Sequence, residues 1–241
     1  MSELASKSMS QRLRTESNPS GPTERSEGVR VSAREVVLNR VKAANAAAGH
    51  PNPVPIPRDY HRSGTLAAGS RELLDLLVDR LVDYKATVVE SAPDGIPSAI
   101  AQALTDAGVT GPVLVPPGLP QGWFPDGVAD EAAFTPLDLD GFAAVVTASA
   151  ASCAQTGTIA LDGSPDQGRR AITLVPDVHV CVVRADQVVE TVPELIARLE
   201  PTRPTTFISG PSATSDIELE RVEGVHGPRT LIVVLAGAGP A

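Results

Sequence analysis

The chain has 241 residues, 42% of them apolar and 20% charged, a balance ordinary for a globular protein of one large domain with appendages. Its 29 acidic residues against 20 basic ones give a net charge of −9, which argues against a phosphate-backbone surface, and Arg169, Arg170, Arg184 and Arg198 are too dispersed to make one; no nucleic-acid partner is expected. No apolar run reaches the ~18 residues of a membrane span, and no apolar segment of signal-peptide type opens the chain, so a cytoplasmic protein without membrane insertion is expected.

The two cysteines, Cys153 and Cys181, form no C-x-x-C pair and are too few to ligate an iron–sulfur cluster or a structural zinc. Both stand in apolar stretches, where buried reduced thiols are expected. His50 and His61 flank a proline-rich segment and read as solvated, and His179 reads as structural. No metal and no resident cofactor are therefore expected.

In chain order, residues 1–33 are rich in Ser, Glu, Arg and Gly and should be a disordered tail. Residues 34–64 form a helical arm on a tether. Ser32 and Glu35 have the spacing of a capping box, Val36, Val37, Arg40, Val41 and Ala44 make a stripe, and Gly49 ends it. Pro51, Pro53, Pro55 and Pro57 then impose an extended chain. Residues 65–241 make the main domain. Ser70–Asp83 is an amphipathic helix with Leu73, Leu74, Leu77, Val78 and Leu81 on one face. Thr87–Val89 is a strand, Ile96–Ala107 a helix stopped by Gly108, and Val113–Val115 the next strand. This alternation predicts a parallel sheet with right-handed crossovers. Pro116–Pro136 reads as a long loop carrying Trp123 and Phe124, either functional or a surface loop pinned by its aromatics. Beyond it, Ala143–Thr147, Thr158–Leu161, Ile172–Val175 and Val178–Val183 are β-rich, and Thr191–Leu199 is a helix. The expected fold class is α/β, a single mostly parallel open sheet flanked by helices.

Thr206–Leu235 is the most sharply punctuated stretch: an apolar run, a Ser209-Gly210-Pro211 turn, an acidic helix with a Ser215–Glu218 capping box, the turn around His226-Gly227-Pro228, and a last apolar run. GPSATSDIE and GVHGPR in this stretch, with CAQTGTIAL at Cys153–Leu161, resemble the LUD-domain family over roughly Ala86–Leu235. The resemblance implies a NagB/RpiA/CoA-transferase-like fold and a role in L-lactate oxidation beside iron–sulfur protein partners. Members commonly read Ala-Glu-Thr-Gly-Thr where this chain has Ala154-Gln155-Thr156-Gly157-Thr158. An amide neither ionises near neutral pH nor attacks as a carboxylate does, so Gln155 is limited to hydrogen bonding.

The candidate ligand-binding residues are Gln155, Thr156, Gly157 and Thr158 in the first motif, and Gly210, Ser212, Thr214, Asp216, His226 and Gly227 in the second. Bare backbone and hydroxyls in the first would cradle an anion such as a carboxylate or phosphate, or serve only as a tight turn into a strand. Ser212, Thr214 and Ser215 crowd one helix N-terminus, an anion site if Asp216 and Glu218 point aside, and otherwise a cap. His226 between two glycines would shuttle protons, orient a carboxylate or hold a turn. Thr156, Gly157, Ser212 and His226 are expected to converge on one concave site. No catalytic residue is identified. Three readings stay open: a non-redox subunit of a lactate-oxidising assembly, a stand-alone enzyme or binding protein for a small carboxylate or sugar phosphate, and an assembly protein without a ligand of its own.

Overall fold

The computed structural model describes residues 32–49, 55–214, 222–223 and 227–237. Residues 1–31 of the expected tail, Pro51 and Pro53 of the tether, and residues 215–221 of the expected acidic helix with its Ser215–Glu218 box lie outside these residues. Val222–Glu223, expected at the end of that helix, is instead a strand paired with Ala213–Thr214. The chain separates into two compact units, Met1–Arg58 and Asp59–Ala241. In the first, helix α1 (Ala33–Ala47) starts at the box the spacing predicts: Glu35 N–H donates to Ser32 Oγ at 3.2 Å, and Ser32 N–H donates to Glu35 Oε2 at 2.8 Å. The Ser32 N–H and then its hydroxyl, both donating to Glu35 Oε2, hold that carboxyl below its usual range.

The second unit opens with helix α2 (Arg71–Asp83), capped by Ser70 Oγ accepting from Leu73 N–H and buried along Leu73, Leu74, Leu77 and Leu81. It ends where Lys85 takes φ +72° and Ala86 N–H returns to Leu81 O. Strand β1 (Thr87–Ser91), helix α3 (Ile96–Asp106), strand β2 (Val113–Val115), strand β3 (Val128–Ala129), the short helix α4 (Pro136–Asp140) and strand β4 (Ala144–Thr147) follow. Next come β5 (Ala151–Cys153), β6 (Thr158–Leu161), a 3-10 turn (Arg170–Thr173), β7 (Val178–Arg184), β8 (Val188–Val189) and helix α5 (Val192–Ala197). Last are β9 (Thr206–Ile208), β10 (Ala213–Thr214), β11 (Val222–Glu223) and β12 (Thr230–Ala236).

Six of these strands form one all-parallel sheet in the order β1-β12-β7-β4-β2-β3. After β1 the chain crosses to the far edge, and β4, β7 and β12 then fill the gap in turn, so the last strand sits beside the first. Their near-continuous Val, Ile and Leu runs suit strands buried on both faces. One face packs on α3, with Ile100 and Leu104 against Val146, Val180, Val182, Ile232 and Val234. The other packs on α2 and a second layer, with Leu77 and Leu81, Ala154 and Ile159 against Cys181, Val183, Val233 and Leu235.

The mostly parallel sheet flanked by helices is thus present. The β-rich residues add a second, four-stranded sheet, β8-β5-β6-β9, in which β6 runs antiparallel to both β5 and β9. The run Ile172–Val175, expected as β-rich, lies partly in the 3-10 turn instead. There Arg170 Nη1 donates to Thr173 O at 3.0 Å and to Thr173 Oγ1 at 2.9 Å, while Ile172 packs among Leu114, Leu139 and Val145. Proline at 176 closes the run before β7. The Pro116–Pro136 segment contains β3 and is held by its aromatics, with Trp123 and Phe124 packed on the α3 face. Between β9 and β12, β10 and β11 pair antiparallel, Ala213 with Glu223 and Thr214 with Val222.

Candidate functional site

The two motifs meet through an antiparallel pair rather than along one edge of the parallel sheet. β6 and β9 pair Ile159 with Ile208, which sets the start of one strand beside the end of the other. A line of hydroxyls crosses there: Thr156 Oγ1 and Thr158 Oγ1 are 2.8 Å apart, and Thr158 Oγ1 and Ser209 Oγ are 2.9 Å apart. The two motif glycines serve packing at this point. Gly157 has φ +60°, and a Cβ on it would lie 2.9 Å from Arg80 Cβ; Gly210 has φ +86°, and its Cβ would lie 2.6 Å from Tyr84 O. Bare Cα atoms therefore admit the last turn of α2, a close approach that any side chain would block.

Beyond Ser209 the chain turns, and Ser212 N–H donates to Pro228 O at 2.8 Å, tying this turn to the entry of β12. A cavity of about 210 Å³ opens here, lined by Ser209, Gly210, Ser212 and Gly227 together with Arg170, Thr173 and His179. A larger cavity of about 560 Å³ shares Arg170, Thr173 and Thr206 with it and runs out along Gly118, Pro165 and Gly168. Arg170 stands between the two.

The two neighbouring arginines have different electrostatic roles. Arg169 grips Asp130 with both arms, Nε to Oδ2 at 2.9 Å and Nη2 to Oδ1 at 2.8 Å, and that carboxylate raises the arginine's pKa further. Arg170 makes no ion pair among the described residues; its side chain donates only to the carbonyl and hydroxyl of Thr173 among them. Arg170 is an exposed residue, and the desolvation the cavity does impose, with no acid to offset it, pushes its pKa down.

His179 is 1% exposed, and its Nε2 lies 2.8 Å from Thr147 Oγ1. Burial first, and the Arg170 charge second, depress its pKa to about 3, so the ring is neutral at ordinary pH. Thr147 Oγ1 also approaches Cys181 Sγ at 3.8 Å, and that thiol, pushed up to about 12 by burial, stays protonated. Cys153 is buried as well, its Sγ donating to Glu190 O at 3.3 Å. Both cysteines are therefore the enclosed thiols their apolar surroundings predict.

Of the candidates read from the sequence, Thr156, Thr158, Gly157, Gly210, Ser212 and Gly227 come together around the hydroxyl line and the smaller cavity. Gln155 is exposed, its backbone N–H donating to Glu190 O at 3.1 Å. Thr214 lies in β10, paired with Val222. Asp216 and His226 lie outside the described residues, and so does the expected meeting of His226 with Thr156. Arg170, Thr173 and Ser209 were missed as site residues, and His179 was read as structural alone. The signal for His179 was a polar residue inside an apolar strand. Nothing in the Arg169-Arg170 doublet distinguishes the paired arginine from the unpaired one, because the partner, Asp130, is 39 residues away.

A parallel sheet with helices on its faces, a second sheet packed on one side and a polar cavity where the two motifs meet define an α/β protein. The LUD domain matches residues 122–236, which span every candidate residue named above. Over 207 residues the chain is 43% identical to lactate utilization protein C of Deinococcus radiodurans, covering 83% of this chain and 92% of that protein. Over 226 residues it is 24% identical to lactate utilization protein C of Bacillus subtilis, covering 82% and 93%. The crystal structure of a DUF162 family protein from Deinococcus radiodurans superposes with a TM-score of 0.61 at 40% identity, covering 72% of this chain and all of the other. The chain belongs to the LUD-domain family, among the lactate utilization protein C relatives.

Proposed function

We propose that this chain is a non-redox subunit of an L-lactate utilization system, working beside iron–sulfur proteins that carry the electrons. The observation that carries the reading is the 43% identity to a lactate utilization protein C over nearly the whole of that relative. The cysteine content supports the division of labour: a four-cysteine cluster needs twice the two thiols present, and both of these are buried. The motif position held by Gln155 supports a binding role over a covalent one, since an amide cannot take the part of a carboxylate nucleophile.

The test is genetic and then biochemical. Deleting the coding sequence in the native host should abolish growth on L-lactate while sparing growth on succinate, and a tagged copy should restore growth and retain iron-containing partners on purification. Unimpaired growth of the deletion strain on L-lactate would overturn the reading. A second reading, an assembly protein with α1 as its docking element, is favoured by one observation: Val36, Val37 and Val41 on α1 are 43%, 59% and 51% exposed. Removal of residues 1–49 would then break partner retention while leaving the main unit folded.

A further inference from the structure

We propose that the 210 Å³ cavity is a receptor for a short 2-hydroxy or 2-oxo monocarboxylate, anchored by the Arg170 guanidinium and oriented by His179 and Ser209. The choice of acid rests on the lactate reading above; the site itself rests on the geometry.

The first argument is charge. A guanidinium remains protonated at any physiological pH, and Arg170, an exposed residue, lines the cavity with no acid paired to it among the described residues. Arg169, one residue away, is matched by Asp130, whose side chain is only 7% exposed. Arg170 has only Thr173 for company, through Nη1 alone, so its remaining N–H donors have no partner among the described residues. An incoming carboxylate supplies the missing charge and accepts two of those donors in the planar fork that Arg offers.

The second argument is the imidazole. Nε2 of His179 is taken by Thr147, and Nδ1 has no hydrogen-bond partner among the described residues, although the residue lines the cavity. Thr147 Oγ1 either donates to Nε2 or accepts from it, so the neutral ring presents Nδ1 as an N–H or as a lone pair. The first form suits a carboxylate oxygen or a ketone, the second a hydroxyl. Ser209 Oγ, already 2.9 Å from Thr158 Oγ1, adds a second group of either polarity to the cavity lining.

Size and lining narrow the class. The cavity holds about seven water-sized groups at ~30 Å³ each, well below a drug-sized site of ~300–1,000 Å³. Ile208, Pro211 and Leu231 provide an apolar wall for a methyl group. One unpaired cation balances one carboxylate; a phosphate dianion would leave a surplus of negative charge beside it.

The full chain, isotope-labelled at histidine, is titrated separately with sodium L-lactate, pyruvate and inorganic phosphate, with calorimetry in parallel. The expected result is one equivalent of L-lactate or pyruvate bound, with the His179 ring resonances shifted. Arg170→Gln should weaken binding at least about tenfold at an unchanged unfolding midpoint, as loss of a charge-assisted pair implies, and Arg170→Lys should recover part of the affinity. If the Gln variant unfolds, the Lys variant and the wild-type His179 shift decide the matter. Both acids leaving His179 unshifted, phosphate binding in preference to them, or undiminished affinity in a folded Arg170→Gln protein each overturn the proposal. A chain that binds lactate in this way yet proves unnecessary for growth on lactate keeps the receptor and overturns only the lactate-system role. The converse result, growth dependence without binding, overturns only the receptor.

Discussion

The two faces of the parallel sheet are made by alternate residues of the same strands, yet they differ in kind. Toward α3, β4, β7 and β12 present Ala144, Val146, Val180, Val182, Ile232 and Val234, a dry aliphatic surface. Toward the second layer the same strands present Thr147, His179 and Cys181 among Val145, Val183 and Val233. A one-residue register slip would exchange these sets, so the pleat that builds the core also decides where polar chemistry is admitted. The lesson is a separation of tasks. The α3 face supplies cohesion, and the second face gives up some apolar packing to hold an enclosed histidine beside an unpaired arginine.

If that separation is right, the largest stability losses come from the dry face and leave binding untouched. Ile100→Ala removes a side chain with no exposure at the centre of α3. It should cost about 4 kcal/mol, within the usual range for such a truncation, measured by urea unfolding, with the isotherm for L-lactate unchanged in whatever fraction stays folded. A loss below about 1 kcal/mol would mean that the α3 face is not the cohesive one. Next comes Gly210→Ala, at the seam between α2 and the site. Its left-handed φ and the Cβ contact with Tyr84 O predict a loss of about 3 kcal/mol. Because the turn would shift away from α2, binding should fall together with stability here.

The polar face should reveal itself through pH. His179 is held near 3 in the folded protein against about 6.5 in the unfolded chain. A depressed folded pKa in a base means that the unfolded state binds the extra proton, so stability is lost as pH falls below about 6.5 and the loss levels off near 3. At pH 5 this amounts to about 2 kcal/mol relative to pH 7. Carboxylates titrate in the same interval, so the quantity to measure is the difference between wild type and His179→Gln. The wild type should lose stability more steeply from pH 7 to pH 5, and parallel curves would show that His179 titrates normally.

Much of the scaffold was legible because it is written locally. The Ser32–Glu35 box, the leucine stripe of α2 and the valine-rich runs of β4, β7 and β12 each depend on neighbours within one element. The second sheet was not separable from the first, since β-rich runs say nothing about which ladder they join; β6 pairs with β9 across almost fifty residues. The glycines were read for a ligand's approach, and the structure sets them against Arg80 and Tyr84 instead, a contact with a helix more than seventy residues upstream. Ile172 failed as a strand because a side chain, Arg170, takes the carbonyl of Thr173 that a sheet would have used. The site was half visible for the same reason. Hydroxyl-rich motifs can be recognised from sequence, whereas an arginine without an acid is a statement about everything around it.

The smallest expected effect on stability is also the sharpest test of the two-face comparison. Among the described residues Ser209 Oγ has one hydrogen-bond partner, Thr158 Oγ1, and the residue is exposed. Removing the oxygen in Ser209→Ala leaves Thr158 with Thr156 Oγ1 at 2.8 Å, so no buried polar group is orphaned. The cost in stability should be under about 1 kcal/mol, as for an exposed neutral hydrogen bond. Binding should respond differently, because on the cavity wall this hydroxyl is the group proposed to meet the ligand's 2-substituent. A several-fold weaker affinity for L-lactate is therefore expected from calorimetry, alongside an unfolding midpoint close to wild type. Acetate, which lacks the substituent, should bind both proteins alike. Equal loss for acetate and lactate would place the serine's influence on the turn as a whole rather than on the ligand, and would remove Ser209 from the receptor while leaving Arg170 in it.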